Sequence, residues 1–354
     1  MYNFSAGPGV LAKEVLQEAQ KELIDFRGSG ISITEASHRG KVYEPVHNEC
    51  IALFRELMNI PDNYEVLFVQ GGASTQFEAV PLNLLKNGKA DYIVTGNFAK
   101  KAFKEAQKYG DITAAASSGD KNFTYIPDFG ENSFRSDADY VHCTSNNTIF
   151  GTRMSKFPKV ETLVCDMSSN ILSEVFDVTQ FGVIYAGAQK NISCAGLTVV
   201  IVRKDLLEQA MPICPTMLKW SVQAKENSLY NTPPCFSIYI AGLTLKWLKG
   251  LGGISAIQKI NEEKAAMLYD FIDNSNFYKN PVRKEDRSIM NVPFVSPNAE
   301  LDALFVKGAE AADIMAIKGH RLVGGMRASI YNAMPVEGVK HLIEYMKKFE
   351  LENK

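Results

Sequence analysis

The chain has 354 residues, 46% of them hydrophobic and 22% charged, with 38 basic against 40 acidic side chains and a formal net charge of −2. That length can bury a large apolar core and leaves room for two domains. The balanced charge gives no general attraction to nucleic acid or an acidic membrane, so an anionic ligand must be met by local positive charge.

The first residues, Met1-Tyr-Asn-Phe-Ser-Ala-Gly-Pro8, show no basic stretch leading into an apolar one, so no signal peptide is expected. From about residue 64 to 203, short runs of β-branched, aromatic and aliphatic residues end in Gly, Ser, Asn or Asp. Strands are predicted at Tyr64–Val69, Asp91–Thr95, Tyr140–Thr144, Thr162–Asp166, Val183–Ala186 and Leu197–Val202. Several are almost continuously apolar, as in a sheet covered on both faces by helices. Helical patterns lie between some of them, for example Phe98–Tyr109, and this alternation predicts a mostly parallel α/β sheet. Its ligands should bind beyond the carboxyl ends of the strands. The apolar run Leu197–Val202 is too short to cross a bilayer.

After Pro233-Pro234 the pattern changes. A long helical stretch, about Phe236–Asn274, is broken near Gly250–Gly253. An extended piece comes next near Met290–Val295, then a helix about Leu301–Lys318, strands around Leu322 and at Met326–Ile330, and a closing helix from Pro335. These predict a second, smaller α+β domain. The six cysteines (Cys50, Cys143, Cys165, Cys194, Cys214, Cys235) form no CxxC pair and no metal-ligand spacing. Reduced thiols, no metal and a cytoplasmic location are expected.

Three strand ends carry polar chemistry. Gly71-Gly-Ala-Ser74 opens a helix after Val-Leu-Phe-Val-Gln, Asp166 closes Thr-Leu-Val-Cys, and Lys190 comes after Val-Ile-Tyr-Ala-Gly-Ala-Gln. A glycine-rich entry to a helix is a ready anion site, because its free N–H groups and the helix dipole point to one place. An acid and a lysine at buried strand ends need partners. On spacing alone a buried Asp166–Lys190 ion pair, or an N-cap at Asp166, explains them as well as a ligand does. Together with the glycine loop they suggest a phosphorylated cofactor.

The run Tyr185-Ala-Gly-Ala-Gln-Lys-Asn-Ile192 resembles the cofactor-lysine segment of the phosphoserine aminotransferase family, a class V branch of the fold-type I pyridoxal-phosphate enzymes. The resemblance extends over essentially the whole chain. It includes Asn3–Pro8, Ser37-His-Arg-Gly40, Gln76–Asn83, Asp166-Met-Ser-Ser169, Tyr230-Asn-Thr-Pro-Pro234 and the long string Lys318–Pro335. It implies an α/β fold with a seven-stranded-type sheet in a large domain (16–257), and a small α+β domain (1–15 and 258–354). It also implies transfer of an amino group between L-glutamate and 3-phosphohydroxypyruvate, with pyridoxal phosphate as cofactor. Activity on the phosphorylated threonine precursor of vitamin B6 also occurs in the family, and the sequence does not decide whether this chain shares it.

Carried onto this sequence, the family pattern makes Lys190 the residue that holds the cofactor as a Schiff base and shuttles the proton. Asp166 would pair with the ring nitrogen. Ala73, Ser74 and Gln189 would serve the cofactor phosphate, Thr148 would lie near the ring hydroxyl, and Phe98 would stack on the ring. Asn231 and Thr232 would reach the cofactor phosphate from a second subunit, which implies a homodimer with shared sites. Arg327, with its planar fork, is expected on the substrate carboxylate. His38 with Arg39, and His320 with Arg321, are expected on the substrate phosphate or the glutamate side chain; without the resemblance, each pair reads more readily as a solvated surface dipeptide. His47, His142 and His341 lack such context and read as structural.

Three departures from the family pattern stand out. Phe98 replaces a common Trp, Ser74 stands where some members carry an Arg for substrate phosphate, and Asn191-Ile-Ser-Cys194 replaces a common Gly-Pro after Asn-Ile. Cys194 reads as a buried structural thiol. The competing readings are another enzyme on the same scaffold, such as an alanine–glyoxylate aminotransferase or a cysteine desulfurase, and a non-catalytic phosphate-binding α/β protein.

Overall fold

The computed structural model describes the backbone of residues 1–354 and every side chain except that of Glu131. Its centre is a seven-stranded sheet of β2 (Tyr64–Val69), β3 (Lys89–Val94), β4 (Asp111–Ser117), β5 (Tyr140–Thr144), β6 (Leu163–Asp166), β7 (Val183–Gly187) and β8 (Thr198–Arg203), in the spatial order β2-β8-β7-β6-β5-β3-β4. Only β8 runs against the rest. Side chains of a strand alternate between faces, and here both faces are apolar. Val141, Cys143, Leu163, Cys165, Ile184 and Ala186 enter one core, while Tyr140, Val164, Val183 and Tyr185 enter another. β5, β6 and β7 are therefore buried at every residue, the condition that made their sequences read as continuous apolar runs.

The helices that cover the sheet include α1 (Lys13–Glu22), α2 (Glu44–Met58), α3 (Gly72–Leu84), α4 (Asn97–Ala106), α5 (Trp220–Lys225) and α6 (Cys235–Gly250). Next come α7 (Ile254–Asn274) and α8 (Ala299–Ala309), then α9 (Val336–Asn353), with β9 (Asn291–Phe294) paired antiparallel to β11 (Met326–Ser329). The opening strand β1 (Tyr2–Asn3) runs parallel to β10 (Ile314–Met315). Phe4 accordingly joins an apolar cluster otherwise drawn from Ala265 to Phe349.

Three expectations need correction. Strand β4 was not foreseen, because Asp-Ile-Thr-Ala-Ala-Ala-Ser is alanine-rich and low in β-propensity. The helix expected over Leu301–Lys318 stops at Ala309, since Asp313 turns left-handed (φ 60°) and Ile314–Met315 pairs with the chain start. Leu322 lies in a turn and not in a strand: the Val323 and Gly324 N–H groups both donate to the His320 carbonyl at 2.9 Å.

Parallel alignment puts the ends of β5, β6 and β7 on one edge, with Thr144 opposite Asp166 and Asp166 opposite Tyr185. The ends of β2 and β3 reach the same edge and lead into α3 and α4. Gly71 takes φ 93° to make the first of these turns. A Cβ on Gly96 would strike the Asn147 amide, so glycine lets α4 start hard against the β5 loop.

Candidate active site

At this edge the chain encloses a cavity of about 330 Å3. Asp166 forms part of its floor. It is 5% exposed, its Oδ1 accepts the Ser168 N–H at 2.9 Å, and burial raises its pKa above the usual carboxylate range. Ser168 in turn accepts the Gly187 N–H at 3.1 Å, which ties the acid to the strand that leads to Lys190. Residues 168–170 form a turn and not a helix, so Asp166 is no N-cap.

Lys190 leaves a tight turn in which its own N–H donates to the Ala188 carbonyl at 2.8 Å. Its Nζ donates to the Thr148 hydroxyl at 2.8 Å and lies 5.6 Å from the Phe98 ring centroid. Burial lowers its pKa to about 8; the Asp166 charge opposes that shift and Arg327 adds to it. The ammonium feels Asp166 through the cavity, but its hydrogen bond goes to Thr148. Thr148 also accepts from Arg327, whose Nη1 reaches the Thr148 carbonyl at 3.3 Å. The buried Arg327 Nε has no partner among the described residues, and burial lowers this guanidinium's pKa. A buried donor left open beside a cavity is a place for an anion.

Of the expected residues, Ala73, Ser74, Phe98, Thr148, Asp166, Gln189 and Lys190 line this cavity together with His320 and Arg327. Gly72–Ser74 is the first turn of α3, whose N-terminal end has no side-chain cap, so its free N–H groups face the same space. Arg321 is exposed and lies outside the lining. His38, Arg39, Asn231 and Thr232 are also outside it. Arg39 donates to the Leu229 carbonyl at 3.3 Å, Asn231 to Gln70 at 3.4 Å, and Gln70 to the Thr232 carbonyl at 3.2 Å. Asn231 and Thr232 thus lie exposed beside Gln70, which precedes the glycine loop, while Arg39 is exposed near Leu229 and His38 is half-buried.

The histidines expected to be structural do make internal contacts. His47 Nε2 bonds the Asn227 carbonyl, His142 lies against Tyr185 and Tyr92, and His341 bonds the Ala312 carbonyl. All six cysteines are free and none lines the cavity, so it offers no thiol nucleophile of the kind a desulfurase needs. Cys194 is half-buried, its Sγ 3.4 Å from the Ser237 hydroxyl. Sequence reasoning missed Lys101, which lines the cavity, and Lys264, which is fully buried outside its lining. Lys101 stands one turn after Phe98 in α4, a spacing that could have revealed it.

A pyridoxal-phosphate cofactor needs an acid for its ring nitrogen, a lysine of lowered pKa, a flat wall and an anion site. The cavity has all four, and the residues fit the group.

The model of the class-V aminotransferases matches residues 1–342. A phosphoserine aminotransferase of Bacillus cereus is 53% identical over 100% of this chain and 99% of its own length. The solved phosphoserine aminotransferase of Bacillus circulans subsp. alkalophilus superimposes with a TM-score of 0.96 at 46% identity, covering 99% of this chain and 98% of that one. A pyridoxal-phosphate-bound phosphoserine aminotransferase from Trichomonas vaginalis gives 0.93 at 39% identity, over 98% and 99% of the two chains. The chain belongs to the class-V aminotransferase family, in its phosphoserine aminotransferase branch.

Proposed function

We propose that this chain moves the amino group of L-glutamate to 3-phosphohydroxypyruvate, giving O-phospho-L-serine and 2-oxoglutarate. Its cofactor is pyridoxal phosphate. The observation that carries the reading is one cavity holding Asp166, Lys190 and the open Arg327 donor, within a chain half identical to such enzymes from end to end.

The cofactor, when bound, supplies an electron sink for the carbanion formed at the substrate Cα. Asp166 is the residue to keep its ring nitrogen protonated, and Phe98 the one to pack against its ring. The α3 N-terminus with Ser74 and Gln189 receives its phosphate. Lys190 would hold the cofactor covalently and would serve as the base that moves the substrate Cα proton; a pKa near 8 suits that task. Arg327 binds the substrate α-carboxylate.

Asn231, Thr232, His38, Arg39 and Arg321 act at a site shared with a second copy of the chain, which accounts for their distance from the cavity. Residues 1–15 and 258–354 form a small domain against the large one, 16–257, and the enzyme works in the cytoplasm. Among the described residues no helix is long and apolar enough to cross a membrane.

A coupled assay with glutamate and a panel of keto acids tests the reading; the panel includes the phosphorylated precursor of threonine type. The expected result is far faster turnover of 3-phosphohydroxypyruvate than of pyruvate or glyoxylate. Equal rates would refute it.

A further inference from the structure

The cavity carries more positive charge than its cofactor chemistry uses. Among the described residues Asp166 is the only acid in its lining, against Lys190, Arg327, Lys101 and His320. Lys190 and Arg327 serve the cofactor and the substrate carboxylate, whereas Lys101 and His320 remain.

Lys101 rises from α4 on the face that bears Phe98, its Nζ 5.6 Å from the ring centroid. The Lys190 ammonium stands at the same distance from that ring. Among the described residues no carboxylate pairs with Lys101. His320 accepts the Leu322 N–H on Nδ1 at 3.2 Å, so its Nε2 carries the proton when the ring is neutral. Burial, then the charges of Arg327, Arg321 and Lys101, lowers the His320 pKa. Several like charges thus converge on one imidazole without an acid between them. Such an arrangement is unfavourable until an anion enters.

We infer that Lys101 joins the already expected His320 in binding the phosphate of the phosphorylated keto acid and determines specificity for it. The inference rests on the proposed function, in which the acceptor is phosphorylated. It also answers the missing arginine at Ser74: Lys101 supplies a cation to the same cavity from α4. A lysine ammonium is a point charge, which suits a phosphate as well as an arginine fork does, with less demand on orientation.

The test compares kcat/KM for 3-phosphohydroxypyruvate and for pyruvate in the wild-type holoenzyme, Lys101→Met and Lys101→Arg. One charge-assisted contact to phosphate corresponds to about a tenfold loss or more. The ratio of the two kcat/KM values should fall by at least that factor in Lys101→Met, mainly through KM for the phosphorylated acid. Lys101→Arg should restore most of it. A wild-type ratio kept in Lys101→Met, or equal losses on both substrates, overturns the role of Lys101 alone. A wild-type enzyme with no preference for the phosphorylated acid overturns the functional reading and this inference together.

Discussion

Lys190 is a primary amine in an enclosure where an arginine stands close by and the only acid among the described residues is already engaged by a backbone N–H. Taking an ammonium out of water favours its neutral form, and Arg327 pushes the same way, which brings the pKa down to about 8 against Asp166. The free amine is the nucleophile that captures an aldehyde, so the sign is fixed: capture is slow while the amine is protonated and fast once it is not. The rate at which cofactor-free chain takes up pyridoxal phosphate should rise about tenfold per pH unit well below 8 and level off above it. Stopped-flow absorbance measures this directly. A rise that continues to pH 10, as for a solvated lysine, would show that the enclosure does not tune Lys190. Thr148 links this amine to Arg327, offering its hydroxyl to one and its carbonyl to the other. A single residue therefore positions both cations.

At the scale of elements, Lys264 of α7 ties the second apolar cluster to the cavity. It is fully buried, and its Nζ donates to the carbonyls of Ile330, Tyr331 and Met334 at 3.1, 2.9 and 3.0 Å. The turn it closes carries Tyr331, whose hydroxyl donates to the Ala6 carbonyl at 2.6 Å. It also carries Asn332, whose N–H donates to the Asn191 Oδ1 next to Lys190. Lys264→Met fills the volume but leaves three buried acceptors open, which should cost about 2–4 kcal/mol in denaturant unfolding. A variant as stable as wild type would mean that desolvating the ammonium cancels its bonds.

The same elements show what was legible in the sequence. Strands β5, β6 and β7 announced themselves through apolar runs because they are buried on both faces, and their polar ends pointed to Asp166 and Lys190. Strand β4 and the short β10 were hidden, because an alanine-rich edge strand and a two-residue pair have no periodicity to read. Lys264 was hidden too, since a lysine in an amphipathic helix reads as solvated until its three carbonyls are seen.

At the scale of the whole molecule, one chain brings Asp166, Phe98, Lys190 and Arg327 to the cavity but holds Arg39 and Asn231 exposed outside its lining. If two copies share their sites, sedimentation should give twice the chain mass of 39.2 kDa. Mixing Lys190→Ala with Asn231→Ala chains should then recover activity at roughly a quarter of the sites, those assembled from the two intact faces. No recovery from dimers that do exchange would place Asn231 outside catalysis. Every scale depends on the cofactor sitting on Lys190. Borohydride reduction of the holoenzyme and peptide mass mapping test this without an intermediary. A phosphopyridoxyl group is expected on the peptide containing Lys190 and on no other lysine; attachment elsewhere, or none at all, would contradict it.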